Sequence, residues 1–282
     1  MKTPITYYGG KQTMVKYLLS LIPPHKLYCE PFFGGGALFF AKPKSEVEVI
    51  NDANGEVVNF FRVAKKQFSE LQKEVQATPH SRELYKKAQV VYDHPDMFSD
   101  IKRAWAFWIL TNQGFSARIG SWAFGKDCSI ERNQARKRDE FTKEYADRLR
   151  QVQIEHNDAL KVIDRCDDKS TFFYLDPPYI NTNQGHYSGY SEADYIKLLD
   201  RLGKVKGRFL LSSYPSPVLK KYIKKNKWHT MSLRKSIAVT KLTDKKKTEM
   251  LVCNYDPKKT GTFESMNVRQ LTQNLKQLKF AA

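Results

Sequence analysis

The sequence predicts an α/β protein in which two separated segments build one sheet and a mainly helical domain is inserted between them. Apolar strand patterns run into a glycine turn at residues 28–36 and into a proline turn at residues 171–179. Between these segments, apolar residues recur at helical spacing. We therefore expect a discontinuous sheet domain at 1–58 and 151–256, a helical insert at 59–150 and a helical tail at 257–282.

The first strand pattern ends in the run YCEPFFGGGA at residues 28–37, and a helix follows through Leu38, Phe39 and Phe40. Three glycines let the backbone approach a ligand without an intervening Cβ. The next strand pattern ends in Asp52, at the distance where doubly wound sheets place an acid on the ribose of a bound nucleoside. Neither a G-x-G-x-x-G motif nor a Walker lysine is present, so a nucleoside is favoured over a dinucleotide or triphosphate. A plain loop is the alternative.

The middle of the chain is helical in pattern, with apolar residues three to four positions apart from Phe60 to Ile109. A loop rich in Gly and Ser follows at residues 112–128. Basic and aromatic residues interleave from Trp105 to Lys126, which favours nucleic acid over membrane as the partner. The alternative is a helical cover on the sheet with no binding role.

Composition supports an anionic partner. Forty-eight Lys and Arg stand against thirty Asp and Glu, for a net charge of +18 and a pI near 9.6. The four cysteines show neither a C-x-x-C pair nor histidines at metal spacing, so we expect reduced thiols and no metal site, with Cys29 and Cys253 in the core. The sequence shows no signal peptide and no bilayer-spanning run, which predicts a cytoplasmic protein without membrane contact.

The segment with the most specific chemistry is Asp176-Pro177-Pro178-Tyr179, directly after the apolar run at residues 171–175. The prolines end the strand and fix the direction of its last carbonyls. Asp176 accepts hydrogen bonds but is too weak a base to deprotonate a free amine, which suits an amine conjugated to an aromatic ring. Hydrogen bonds from that amine to Asp176 and the Pro177 carbonyl would make its nitrogen pyramidal and nucleophilic, with Tyr179 stacked on the ring. The alternative is a proline-terminated strand with an incidental acid.

The rest of the second segment predicts a polar lid at residues 180–190, a capped helix start at Ser191 and a strand at 207–213. In the lid, Tyr187 stacks on a ligand or anchors the loop, and His186 is a loop residue rather than a base. Apolar residues at 268, 271, 275 and 278 predict an amphipathic helix in the tail.

Together these motifs resemble DNA adenine methyltransferases of the Dam type, in family order and over most of the chain. Residues 7–11, YYGGK, resemble the family's aromatic-x-Gly-Gly-Lys element, and residues 234–237 and 249–252 resemble its late hairpin. The resemblance implies a Rossmann-like S-adenosylmethionine-dependent methyltransferase sheet with a target-recognition insert. Asp176, Pro177, Pro178 and Tyr179 would then be catalytic.

The resemblance also assigns binding residues. The implied contacts with S-adenosylmethionine are Tyr7, Lys11, Glu30, Pro31, Phe32, Phe33, Gly34, Gly36, Asp52 and Asp176. The expected contacts with double-stranded DNA are Asn112, Arg118, Trp122, Lys126, Arg132, Arg136, Lys137, Arg138 and Tyr187.

The predicted activity is transfer of a methyl group from S-adenosylmethionine to the N6 amine of a flipped adenine in DNA, by a monomer, without metal or covalent intermediate. N4-cytosine methylation, RNA adenine methylation and a catalytically silent DNA-binding scaffold are the alternatives. A protein glutamine methyltransferase more often has Asn before the two prolines. Residues 112–122 depart from the arginine-tyrosine-asparagine pattern of relatives that methylate GATC, so that target is not predicted. We expect a bacterial or mobile-element protein associated with the nucleoid, solitary or part of a restriction system.

Overall fold

The computed structural model describes residues 1–126, 128–180, 189–235 and 247–259. These residues form one seven-stranded sheet of order β3-β2-β1-β4-β5-β7-β6. The strands are β1 Leu27–Glu30, β2 Val47–Asn51, β3 Gln153–Glu155, β4 Thr171–Leu175, β5 Arg208–Ser213, β6 His229–Lys235 and β7 Lys247–Cys253. Strands β1 to β5 are parallel, and β7 runs antiparallel between β5 and β6. The predicted α/β class is confirmed.

Helices surround this sheet along the described chain. They are α1 Val15–Leu19, α2 Ala37–Ala41, α3 Gly55–Lys66, α4 Phe68–Gln76, α5 Arg82–Asp93, α6 Asp100–Gln113, α7 Ser129–Asp139, α8 Glu144–Leu149, α9 Ala159–Cys166, α10 Glu192–Leu202 and α11 Pro217–Asn226. Short 3₁₀ turns lie at Pro95–Met97 and Phe115–Ala117. None of the helices in the described ranges is long and apolar enough to cross a membrane.

Strand β4 lies at the centre of the sheet, between β1 and β5, and all five of its residues are buried. A continuous apolar run is typical of a parallel strand that is covered on both faces. Alternate residues of each strand pack into two cores, with Phe172 and Leu251 in one and Phe173 and Val252 in the other. The sheet therefore has two distinct faces, and side chains two positions apart in a strand share one of them.

The inserted region is helical in its described part, where strand-type pairing is limited to one isolated bridge between Gly114 and Trp122. Helix α6 is buried from Ala104 to Gln113 and packs against α3, α4 and α5. Helix α3 begins at Gly55 and so crosses the predicted boundary after residue 58. The division into domains stays a prediction, and the predicted tail helix lies outside the described residues.

A buried ionic network fastens helix α8 to strand β2. The Glu48 carboxylate accepts from Arg148 Nη2 at 2.8 Å and from Lys42 Nζ at 2.5 Å, and Arg148 also donates to the Phe39 carbonyl at 3.0 Å. The buried Glu48 carboxylate accepts hydrogen bonds from both cations, so the removal of one partner would leave an uncompensated buried charge. This network joins the end of the insert to strand β2 and helix α2.

Candidate active site

The strand order places a crevice at the carboxyl edge of the sheet. The chain passes from β1 to β2 on one side and from β4 to β5 on the other, so the connections diverge between the neighbouring strands β1 and β4. Open α/β sheets bind ligands at such a switch point. Glu30 ends β1 and Asp176 follows β4, and both carboxylates lie at this point.

A cavity of about 300 Å³ opens there. Most of the residues that the sequence assigns to cofactor and catalysis line it. They are Tyr7, Lys11, Glu30, Phe32, Phe33, Gly34, Gly36, Asp176, Pro177, Pro178 and Tyr179. Pro31 and Asp52 are not on the wall of this cavity. The cavity also extends to Arg136 and Lys137 of helix α7.

The glycine turn has the backbone that its sequence predicts. Gly34 and Gly36 have φ values of 49° and 65°, in the left-handed region that side chains disfavour. A Cβ on Gly34 would lie 2.8 Å from Cδ1 of Tyr7. The turn therefore requires glycine both for its conformation and for the close approach of the Tyr7 ring.

Asp52 lies behind this turn and is 1% exposed. Its Oδ2 accepts from the Gly34 N–H at 2.7 Å, and its Oδ1 accepts from the Asn54 N–H at 2.8 Å. The carboxylate thus holds the glycine turn and the start of α3. A contact between Asp52 and ribose stays a prediction.

A buried polar cluster surrounds Asp176 at the other end of the cavity. Lys11 Nζ lies 2.7 Å from Asp176 Oδ2 and 3.2 Å from Oε1 of Glu249. The Tyr179 hydroxyl lies 2.5 Å from Glu249 Oε1 and 3.1 Å from Asp176 Oδ1, and Ser212 Oγ donates to Glu249 at 2.7 Å. The hydroxyl of Tyr179 has one proton, so the shorter contact, to Glu249, receives it.

Sequence reasoning placed Glu249 in the late hairpin but assigned it no chemistry. The residue lies on β7 and shares a sheet face with Leu251, which packs into the same core as Tyr174 and Leu210. The sequence signal that could have identified it is an acid within an apolar strand pattern. A carboxylate buried in this way requires a hydrogen-bonding or charged partner. The fold supplies partners from the N-terminal segment, from the residues after β4 and from β5.

Burial and mutual charge set the pKa values in the cluster. Burial raises the pKa of Asp176 above its usual range, and the Lys11 charge only partly offsets this. Burial would raise the pKa of Glu249 as well, but Lys11 and hydrogen bonds from Tyr179 and Ser212 hold it below its usual value. Burial disfavours the charge of Lys11, yet the two carboxylates raise its pKa. Of the two carboxylates, Glu249 therefore has the lower pKa and favours its ionised form, and Asp176 is the more basic acceptor.

Glu30 differs from these acids. Burial raises the pKa of Glu30 to about 8, although the Tyr28 hydroxyl donates to it at 2.7 Å. A cation in the cavity would favour its ionised form.

Two of the residues expected to contact DNA instead form hydrogen bonds that connect the insert to the N-terminal segment. Asn112 is 5% exposed, and its Oδ1 accepts from the Thr6 N–H at 3.2 Å and from Thr6 Oγ1 at 3.0 Å. Lys137 Nζ donates to Thr6 Oγ1 at 2.8 Å, and burial lowers the pKa of Lys137 to about 8. Their DNA contacts stay predictions.

Most of the other basic residues that are expected to contact DNA are more accessible. The exposed Arg118 guanidinium lies 5.5 Å from the Tyr8 ring centroid, and Lys126, Arg132 and Arg136 are exposed. Arg138 pairs with Glu131 at 2.8 Å. These contacts leave charge on the outer surface of the insert.

Aromatic residues accompany this charge. Trp122 stacks on His80 with ring centroids 4.6 Å apart, and the Arg82 guanidinium lies 4.7 Å from the same indole. Phe115 and Phe124, which sequence reasoning did not assign, are 54% and 68% exposed. Tyr187 lies outside the described residues. The part of the chain that the structure describes contains no group of three or more His, Cys, Asp or Glu that could hold a metal ion.

Comparison with known proteins gives the family. A family model described as D12 class N6 adenine-specific DNA methyltransferase matches residues 7–250. A type II methyltransferase of Lactococcus lactis subsp. cremoris is 27% identical over 271 residues, covering 88% of this chain and 93% of the relative. The DNA adenine methylase of Salmonella typhi is 23% identical over 270 residues, with the same two shares, 88% and 93%. A type II methyltransferase of Methanocaldococcus jannaschii is 24% identical over 296 residues, covering 94% and 97%.

Proposed function

The chain belongs to the D12 class of N6 adenine-specific DNA methyltransferases, and we propose that its cavity binds S-adenosylmethionine while Asp176 and Pro177 hold the amine of a flipped adenine. The protein methylates adenine at specific sites in DNA.

The cavity suits a cationic nucleoside. Its volume of about 300 Å³ lies at the lower end of the range of small-molecule sites, about 300–1,000 Å³. The rings of Tyr7, Phe32 and Phe33 provide apolar walls, and the acids Glu30 and Asp176 attract positive charge. When bound, S-adenosylmethionine supplies a methyl group on a positively charged sulfur and is left as a neutral thioether after transfer.

Asp176 and the Pro177 carbonyl act on the acceptor. The two N–H groups of the adenine amine donate to them, which draws the nitrogen from planar toward tetrahedral and exposes its lone pair. The new C–N bond forms as the S–C bond breaks, and the positive charge that reaches the nitrogen lies beside Asp176 until one proton leaves. Fixed acceptors at the point where charge develops stabilise the transition state more than the ground state.

Base flipping and DNA binding involve other parts of the chain. Extrusion of adenine from a duplex costs a few kcal/mol, and stacking on Tyr179 offsets part of this cost. The net charge of +18 and the exposed Arg118, Lys126 and Arg132 supply phosphate and base contacts around double-stranded DNA.

The observation that carries this proposal is the convergence of Asp176, Lys11 and Tyr179 on the wall of the cavity.

The test follows the transfer of a labelled methyl group from S-adenosylmethionine into duplex DNA, with digestion to nucleosides to identify N6-methyladenine. Asp176→Ala should lower turnover to below about a tenth of wild type while cofactor binding stays measurable, because the lost acceptor acts on the amine. Asp96→Ala, at an exposed acid, is the control. The mechanism would be contradicted by label in N4-methylcytosine, or by an Asp176→Ala variant that keeps more than about a tenth of wild-type turnover.

A further inference from the structure

Glu249 is a buried acid that the methyl-transfer scheme above does not use. It lies on β7 and is 3% exposed. Its Oε1 is contacted by Lys11 at 3.2 Å, by the Tyr179 hydroxyl at 2.5 Å and by Ser212 at 2.7 Å. Three donors on one oxygen hold the charged form of this acid.

The cluster carries an excess of negative charge. Among the side chains that the structure describes, Lys11 is the only cation that pairs with either Asp176 or Glu249. Two carboxylates and one ammonium leave a net charge of −1. A buried site that faces a cavity can tolerate this excess when a cation binds beside it.

We propose that Glu249 is a positioning residue for methyl transfer, which shares the charge of Lys11 so that Asp176 keeps its capacity to accept hydrogen bonds from the adenine amine. The same arrangement makes the site favour a cationic cofactor over its neutral product. This inference rests on the proposed function of the cavity.

The geometry explains why one carboxylate would not be sufficient. Lys11 Nζ lies 2.7 Å from Asp176, and with no competitor its full charge would act on that carboxylate and weaken it as an acceptor. Glu249 also contacts the Lys11 ammonium, at 3.2 Å, and so offsets part of its charge. Asp176, whose side chain is 21% exposed against 4% for Glu249, is the acid that can meet a substrate.

Tyr179 and Ser212 hold the second acid in place. The Ser212 hydroxyl lies 3.0 Å from the Tyr179 oxygen, and both reach Glu249 Oε1. Glu249 therefore also fixes the orientation of the tyrosine that is expected to stack on the flipped base. Its effect on the reaction passes through Lys11, Asp176 and Tyr179 rather than through contact with the substrate.

The test compares two cofactor analogues that differ in charge. Sinefungin has a protonated amine in place of the methylsulfonium, and S-adenosylhomocysteine is neutral there. In Glu249→Gln, calorimetric Kd values should show the preference for sinefungin reduced by about tenfold, the effect that Coulomb's law gives for one unit charge at an assumed separation of about 10 Å and an effective dielectric constant of about 20. Glu46→Gln, at an exposed acid that precedes β2, should leave this preference unchanged.

A pH profile separates this role from simple loss of packing. In Glu249→Gln, Lys11 pairs with Asp176 alone, which lowers the pKa of Asp176. The acid limb of the single-turnover rate should then move to lower pH, and the rate on its plateau should fall by about tenfold or more. A purely structural defect would lower the rate without moving the limb.

If Glu249→Gln does not fold, Glu249→Asp supplies a second test. This variant keeps the carboxylate charge beside Lys11, so its sinefungin preference should lie within about threefold of wild type. A larger departure overturns the inference, as does a folded Glu249→Gln with unchanged preference and an unmoved acid limb. A wild-type protein that binds neither analogue and methylates no adenine would instead overturn the proposed function.

Discussion

Replacement of Asp52 by alanine should destabilise the protein before any ligand binds. The carboxylate accepts from the N–H groups of Gly34 and Asn54 at 2.7 and 2.8 Å, and it is 1% exposed. A hydrogen bond to a charged group contributes about 1.5–3 kcal/mol, so the loss of both predicts about 3–6 kcal/mol. Because whole domains are stable by about 5–15 kcal/mol, this is a large fraction of the free energy of unfolding.

The assay is urea unfolding of the ligand-free protein, followed by calorimetric measurement of cofactor affinity. Asp158→Ala is a matched control, since Asp158 also accepts from two backbone N–H groups, at 2.9 and 3.2 Å, but at an exposed helix start. Its loss should cost only about 0.5–2 kcal/mol. Equal unfolding midpoints for wild type and Asp52→Ala would refute the assignment, and a loss of cofactor affinity alone would mean that Asp52 acts only on the ligand.

Two further predictions concern DNA. Arg118→Ala should cost about 1–3 kcal/mol at one base position and relax the preference there, whereas Lys126→Ala should weaken all sequences alike. A methylation profile over randomised duplexes tests this, and an equal loss at every site in Arg118→Ala would place Arg118 among the phosphate contacts. DNA affinity of the wild type should fall with salt, with a log–log slope of about −0.9 per phosphate contact. A flat response between low and physiological salt would show that the basic excess does not follow the DNA backbone.

Much of the sheet could be predicted because its signals are local. Proline removes backbone donors and restricts φ, so the end of β4 before Asp176 follows from the sequence around it. Glycine tolerates positive φ, so the turn at Gly34 was predictable as well. The helix that starts after Ser191 is confirmed, with the capping box that its sequence indicates.

The roles of several polar residues were less predictable because their partners are remote. Asn112 was expected at DNA from its position in a Gly- and Ser-rich loop, but the fold buries it against Thr6, 106 residues earlier. Asp52 was expected at a ribose from its spacing, and both of its oxygens accept backbone N–H groups. The spacing indicates that an acid lies at the end of a strand, but it does not show which N–H groups donate hydrogen bonds to that acid.

The sequence by itself determined the α/β class and the order of the motifs, and it predicted Asp176 and Tyr179 as the chemical centre. These follow from continuous apolar runs, from the conformations of proline and glycine and from the order of the motifs, all of which can be read along the chain. The tertiary structure alone decided that Glu249, 70 residues beyond Tyr179, shares Lys11 with Asp176. The physical reason is that charge in a buried cluster depends on which groups the packed strands bring within hydrogen-bonding distance, and strand pairing between distant segments sets that distance.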